Sequence, residues 1–169
     1  MTVVAAILAA GESRRLGHPK QLVEIEGEAL LRRTARIALA ARVDRVAVVL
    51  GAYREQIAPV LAGLAVEVLD NAEWREGMAS SIRAAVEWAR AADHLLLLVG
   101  DQPRLTTAHL DALIERRALV GSRYAGVVGV PALFPAASFT ELAALRGDRG
   151  ARGMITDGID WEPGAIDID

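Results

Sequence analysis

The chain has no cysteine among its 169 residues. Disulfides, thiolate metal centres and thiol nucleophiles are therefore excluded. Aromatic residues are scarce at 4%, while hydrophobic residues reach 53%. The core must then be built mainly from Ala, Leu, Val and Ile, a composition that suits helices packed on a buried sheet. A strong charge of either sign is missing too, since the formal net charge is −3. No overall basic field exists to hold nucleic acid or an anionic membrane, so an anionic substrate has to be met by a local cluster. No apolar run is long enough to span a bilayer. The run from Val3 to Ala10 has no basic segment before it and reads as a strand, not a signal peptide. The expected compartment is the cytoplasm. The length suffices for one core and is short for two, which predicts a single domain over residues 1–169.

What is present alternates. Val3 to Leu8 is a continuous apolar run ending at Ala9-Ala10-Gly11, the mark of a strand covered on both faces. Leu30 to Ala41 has helical spacing. Arg45 to Leu50 is a second apolar run, Arg54 to Leu61 a short helix, and Val66 to Leu69 a third strand. Ser80 to Ala91 carries Ile82, Ala85, Val86 and Ala89 on one helical stripe. Leu95 to Val99 is the most apolar strand, followed by Gly100-Asp101. Thr106 or Thr107 can cap a helix running to about Arg117. Tyr124 to Phe134 has strand character broken by glycines and Pro131. Phe139 to Leu145 reads as a helical turn, and Ala165 to Asp169 as a last strand. Such alternation predicts an α/β fold with a mostly parallel sheet and helices on both faces. Ligands of such sheets sit beyond the carboxyl ends of the strands. Gly11 and Asp101 both follow strand ends and can meet in one crevice there.

The segment Leu8-Ala9-Ala10-Gly11-Glu12-Ser13-Arg14-Arg15-Leu16-Gly17-His18-Pro19-Lys20 carries the first chemistry. Small residues let the backbone approach a ligand, consecutive loop amides can form an anion nest, and Arg15 and Lys20 add charge for phosphates. The glycine spacing fits neither a Walker A loop nor a Gly-x-Gly-x-x-Gly dinucleotide loop. An ordinary strand-to-helix turn with surface arginines is the plainer alternative. Asp101, at the end of an apolar strand, can cap neighbouring amides or bind a cation. Asn71, Ser80 and Ser81 precede or open a helix; the serines can cap it, or, with the helix N-terminus, face a nucleotide's base or ribose. Trp74 and Met78 read as packing residues. Asp148, Arg149 and Arg152 lie in a glycine-rich loop and form either a solvated cluster or a grip on an acceptor's phosphate. His18, His94 and His109 show no metal-ligand spacing.

The loop resembles the signature of the MobA-like nucleotidyltransferases, Leu-x-Ala-Gly-x-x-x-Arg-x-Gly-x-x-Lys, and is most similar to the MocA type, the molybdenum cofactor cytidylyltransferases. Asn71 to Ile82 resembles the family's Asn-x-x-Trp-x-x-Gly-Met-x-Ser-Ser stretch. Gly100-Asp101-Gln102-Pro103 resembles its acidic turn, and Gly129 to Phe134 and Leu145 to Arg152 its later blocks. The resemblance runs in order along nearly the whole chain. It implies a Rossmann-like (GT-A-like) three-layer domain that transfers a nucleoside monophosphate from an NTP, with CTP favoured, to a phosphorylated acceptor. Molybdopterin-bound molybdenum is the implied acceptor, and a molybdenum enzyme or its maturation factor a further partner. Arg15, Lys20 and Asp101 take the catalytic positions. Leu8, Ala9, Ala10, Gly11, Glu12, Ser13, Gly17, Asn71, Ser80 and Ser81 join them around the nucleotide. Asp148, Arg149 and Arg152 fall on the acceptor side. Asp101, with Asp169 as a second carboxylate, holds Mg2+ or Mn2+. Two departures stand out: Arg117 to Tyr124 is shorter than the family pattern, and that pattern continues past Asp169 with a Thr-Pro-Glu-Asp-type helix. Three other readings remain: a relative using GTP or another acceptor, a non-catalytic nucleotide-binding partner of a molybdenum enzyme, and a nicotinamide or flavin oxidoreductase.

Overall fold

A computed structural model describes residues 1–166. Its nine strands are β1 (Val3–Leu8), β2 (Glu24–Ile25), β3 (Glu28–Ala29), β4 (Arg45–Leu50), β5 (Glu67–Asp70), β6 (His94–Val99), β7 (Val120–Tyr124), β8 (Val127–Pro135) and β9 (Gly158–Asp160). The α-helices are α1 (Leu30–Ala40), α2 (Arg54–Ile57), α3 (Met78–Ala89), α4 (Thr107–Glu115) and α5 (Phe139–Ala143). Seven strands form one sheet in the order β5-β4-β1-β6-β8-β7-β9, and β2 pairs with β3 in a small separate ribbon. β5, β4, β1 and β6 are mutually parallel. β8 runs antiparallel to both β6 and β7, and β9 lies parallel to β7.

The apolar run of β1 folds as a strand because every residue in it is buried. Successive side chains point to opposite faces of a sheet, so the run feeds two cores. Val3, Ala5, Ile7 and Ala9 pack with Leu31, Ala35 and Ala38 of α1 and Leu110 and Leu113 of α4. Val4, Ala6, Leu8 and Ala10 pack with Ile82, Ala85 and Val86 of α3 and Phe139 and Leu142 of α5. The result is a three-layer α/β domain. Each large aliphatic side chain fully withdrawn from water adds roughly 1.5–3 kcal/mol. Leu95 to Leu98 of β6 are all fully buried, which fixes this strand at the centre of the sheet.

The expected elements through Glu115 recur with ends shifted by a residue or two, a normal scatter for helix ends. Later stretches differ. The strand expected from Tyr124 to Phe134 is β8, which begins at Val127; β7 before it is unexpected, and Ala125 and Gly126, both at positive φ, join the two. Across the stretch that is short against the family pattern, α4 reaches β7 through residues 116–119. β9 falls before the expected terminal strand. Ala165 closes a 3-10 turn, Glu162–Ala165, and Asp167 to Asp169 lie outside the described residues. Among the described residues no helix is long and apolar enough to cross a membrane.

Candidate active site

β1 is the switch point of the sheet. From it the chain winds to β4 and β5 on one side, then returns through α3 to β6 on the other. Loops leaving β1 and β6 therefore diverge and leave a crevice at their carboxyl ends. Gly11 opens one loop, and Gly100-Asp101 opens the other.

The first loop is folded back on itself. Ser13 takes a positive φ of 54°, its carbonyl accepts from the amides of Leu16 and Gly17, and its Oγ accepts from the Lys20 amide at 3.1 Å. Gln21 is 5% exposed and donates from Nε2 to the Ala9 carbonyl at 2.8 Å. That bond ties the end of the loop to the end of β1 and brings Lys20 across to the β6 turn. Lys20 Nζ lies 3.6 Å from Asp101 Oδ2, with the two side chains 20% and 31% exposed. The space over Gly11 is open, since a Cβ built there meets nothing within 4 Å.

Three adjoining cavities share Leu8 and Met78 in their walls. The largest, about 510 Å³, lies over Ala10, Gly11, Glu12, Ser13 and Ser81, with Trp74 and Asp148 at its sides. The middle one, about 190 Å³, is bounded by Gly11, Lys20, Gln21 and Asp101. The third, about 100 Å³, runs to Tyr124, Val130 and Arg152. Leu8, Ala9, Ala10, Gly11, Glu12, Ser13, Lys20, Ser81 and Asp101 are thus brought together on the first two cavities.

Other expected residues sit differently. Arg14, not Arg15, stands on the wall of the large cavity, its guanidinium paired with Glu12. Arg15 and Gly17 are exposed on the outer part of the loop. Asn71 and Ser80 are buried and bond inward: Asn71 Nδ2 donates to Ser80 Oγ at 2.8 Å and to Ser81 Oγ at 3.1 Å. Neither serine caps α3, because the helix already starts at Met78 with Gly77 as its cap. Asp148 borders the nucleotide-sized cavity, Arg152 the third one, and Arg149 is exposed and borders none of the three. Thr106 caps α4 with its own side chain, accepting from the His109 amide, so that cap does not draw on Asp101. Asp169 lies outside the described residues.

Several residues at the site are given no ligand role by the sequence. Gln21 and Gln102 are buried amides that immediately follow Lys20 and Asp101. That adjacency is the clue that marks Gln21, and Gln102 is itself part of the Gly100-Asp101-Gln102-Pro103 turn. Trp74 lines the large cavity as well as packing on the core, whereas Met78, expected to pack, is 39% exposed and borders all three cavities. Gly51 is glycine because a Cβ there would stand 2.6 Å from Trp74 Cβ.

The site thus joins an open glycine loop, a lysine–carboxylate pair and a cavity of about 510 Å³. The family model for the MobA-like NTP transferase domain matches residues 5–161. The chain belongs to this family. As a MobA-like NTP transferase it is a nucleotidyltransferase by fold and family. It is 29% identical to the purine catabolism protein PucB of Bacillus subtilis, over 92% of this chain and 82% of that protein. Nicotine blue oxidoreductase of Paenarthrobacter nicotinovorans is 31% identical over 66% of this chain and 55% of its own length. The molybdenum cofactor guanylyltransferase of Rhodobacter capsulatus is 32% identical over 76% of this chain and 64% of its own. Among solved structures, Rv0371c of Mycobacterium tuberculosis H37Rv in complex with manganese superposes with a TM-score of 0.80 at 27% identity, covering 96% of this chain and 89% of that one.

Proposed function

We propose that this protein transfers CMP from CTP to a phosphorylated acceptor, the molybdenum–molybdopterin cofactor, and releases pyrophosphate. The carrying observation is the Lys20–Asp101 pair, 3.6 Å apart in a cavity that opens onto the Gly11 loop. Similarity to a molybdenum cofactor guanylyltransferase supports the acceptor. The Ala9-Ala10-Gly11 form of the loop, which resembles the MocA type, supports CTP.

An oxygen of the acceptor's phosphate attacks the α-phosphorus in line. A new P–O bond forms, and the α–β bridging P–O bond breaks with its electrons leaving on pyrophosphate. A phosphate monoester is mostly ionised at neutral pH, its second pKa being about 6, so no strong base is needed. The protein aligns two anions and offsets their charge. Lys20 and Arg15 bind the triphosphate. Asp101 presents a half-exposed carboxylate at the wall of the middle cavity. Among the described residues no three His, Asp or Glu side chains gather into a metal cage. A single carboxylate beside nucleotide oxygens suits Mg2+ or Mn2+. Such an ion, when bound, neutralises charge that builds on the leaving pyrophosphate. Ser81 and the loop from Ala10 to Ser13 bind the nucleoside, Asn71, itself bonded to Ser80, holds Ser81 from behind, and Arg149, Arg152 and Asp148 meet the acceptor. The product passes to a molybdenum enzyme or its maturation factor.

Melting the purified protein with CTP, GTP, ATP and UTP in magnesium tests the donor. A ligand at about a hundred times its Kd adds roughly 2.7 kcal/mol of stability. Pyrophosphate release with CTP and the molybdenum cofactor tests the reaction. Similarity to the guanylyltransferase supports GTP as a second donor reading, which a larger GTP shift selects. Nucleotide binding without pyrophosphate release makes the protein a binding partner. Similarity to an oxidoreductase gives reason to record absorbance for a bound hydride cofactor in the same preparation.

A further inference from the structure

The third cavity differs in kind from its neighbours. Its floor is Leu8, Ile82, Leu97 and Val99, and Val130 forms a wall. The polar groups at its rim are the Tyr124 hydroxyl and the Arg152 guanidinium. Both crowd over Gly129: a Cβ there would lie 3.4 Å from Tyr124 Oη and 3.6 Å from Arg152 Nε. Gln102 holds the tyrosine. It is 5% exposed, and its Nε2 donates to Tyr124 Oη at 3.3 Å and to the Val130 carbonyl at 3.1 Å. The Tyr124 hydroxyl in turn donates to the Val130 carbonyl at 3.0 Å. Both amide donors face acceptors, so the orientation of the Gln102 amide is fixed by its bonds. Its Oε1 is buried with no partner among the described residues.

The cavity meets the Lys20–Asp101 cavity along Leu8, Met78 and Val99. Its 100 Å³ is well under the roughly 300 Å³ at which complete small-molecule sites begin, so it takes one portion of a ligand. A polyol inserted there would leave hydroxyls against aliphatic walls, each a buried polar group without a partner. A flat ring or short hydrocarbon leaves none. We propose that this cavity is an apolar acceptor subsite, selecting a phosphate monoester whose phosphate is joined closely to a flat ring or hydrocarbon, with Arg152 binding the anion and Tyr124 shaping the wall. The inference rests on the acceptor side of the proposed transfer.

Calorimetric titration of the full chain in magnesium with phenyl phosphate, glycerol 3-phosphate and inorganic phosphate tests it. Phenyl phosphate is expected to bind roughly tenfold tighter than the other two, the gain from burying its ring. Arg152→Ala should weaken phenyl phosphate by about tenfold through loss of a charge-assisted bond. Val130→Asn should bring it down to the affinity of glycerol 3-phosphate. Arg152 is exposed, so its variant remains informative if Val130→Asn melts early. CTP-induced melting shifts should be unchanged in both variants. Equal affinities for the three phosphates, or a phenyl phosphate affinity indifferent to Arg152→Ala, overturn the proposal. Failure of every NTP to shift the melting point removes the transferase reading instead, and a retained preference for phenyl phosphate then still supports the apolar subsite.

Discussion

The two halves of the sheet carry the site in different ways. In the parallel half, β5-β4-β1-β6, buried strands end at one edge, where the loops hold Gly11, Lys20 and Asp101 and α3 holds Ser81. In the mixed half, β8-β7-β9, side chains of the strands themselves, Tyr124 and Val130, form the cavity wall. The first design largely separates folding from chemistry, because the buried strands reach the cavities only through aliphatic side chains near their ends, Leu8, Leu97 and Val99, and the loops bear little of the core. In the second, one side chain serves both. Changes in the parallel half should therefore split activity from stability, and changes in the mixed half should move them together.

Asp101→Asn should give the largest split. It keeps size and most hydrogen bonding but removes the charge proposed to hold a cation beside Lys20. Pyrophosphate release is expected to fall by about a thousandfold, on the order of 4 kcal/mol of transition-state stabilisation, with an unchanged melting curve. Near-normal release from a well-folded variant removes the metal role.

Gly77→Ala probes where the split fails in the parallel half. Gly77 caps α3 at a φ of 122° and a ψ of −170°, a region open essentially to glycine. A Cβ there would stand 2.6 Å from the Gly147 carbonyl oxygen and 2.2 Å from Asp148 Oδ1. Strain and overlap together should cost about 3 kcal/mol, read as a lowered melting temperature. CTP binding should weaken too, because the 147–148 turn and the start of α3 border the same cavity. A stability loss under about 1 kcal/mol would show that the turn relaxes freely.

The mixed half should reveal itself through pH. His109 is buried on α4, stacks on Trp161 at 4.5 Å, and has Nε2 2.7 Å from Ser122 Oγ. Ser122 Oγ donates to the Pro131 carbonyl, so it accepts from a neutral His109. Burial lowers the histidine's pKa from 6.5 to about 4. The unfolded chain then binds a proton between pH 6.5 and 4 that the folded one refuses, and stability falls as pH drops through that window. The full effect is up to about 3 kcal/mol, reached near pH 4 and absent above 6.5. Denaturant titrations at pH 7.5 and 4.5 measure it. A His109→Gln variant should lose most of the slope, and an equal slope in both proteins would place its origin elsewhere.

The same contrast decides what could be read from sequence. Val3 to Leu8 and Leu95 to Val99 announce themselves because a strand buried on both faces must be apolar throughout. Gly11 and Asp101 follow such runs, so the strand-edge rule brings them together without any contact being known. Tyr124 and Val130 belong to strands half open to solvent, and the Ala125-Gly126 turn that separates them is two small residues inside one apparent run. Gln21 and Gln102 are single buried amides in loops, where no periodicity exists to mark burial. Whether Arg14 or Arg15 faces the cleft is set by the path of an irregular loop, with Ser13 at positive φ, which no periodicity encodes.

That last ambiguity gives the finest test within the parallel half. Lys20, Arg14 and Arg15 are three cations on one loop, and geometry treats each differently. Lys20 is 20% exposed and already faces Asp101 across the phosphate cavity, so its ammonium is the least screened of the three. Lys20→Ala is expected to weaken CTP binding about tenfold, or roughly 1.4 kcal/mol. Arg14 borders the large cavity, but its side chain is 87% exposed and Glu12 already offsets its charge. An exposed pair of this kind contributes little, so Arg14→Ala should change CTP affinity by no more than about threefold. Arg15 sits at the signature position, and its loss should fall between the two if the loop closes on the triphosphate. Calorimetric titration of CTP into the three alanine variants ranks them. Equal losses at Arg14 and Arg15 would show that the signature arginine has no special place in the loop. A loss at Arg14 exceeding that at Lys20 would move the triphosphate from the Asp101 cavity to the outer cleft.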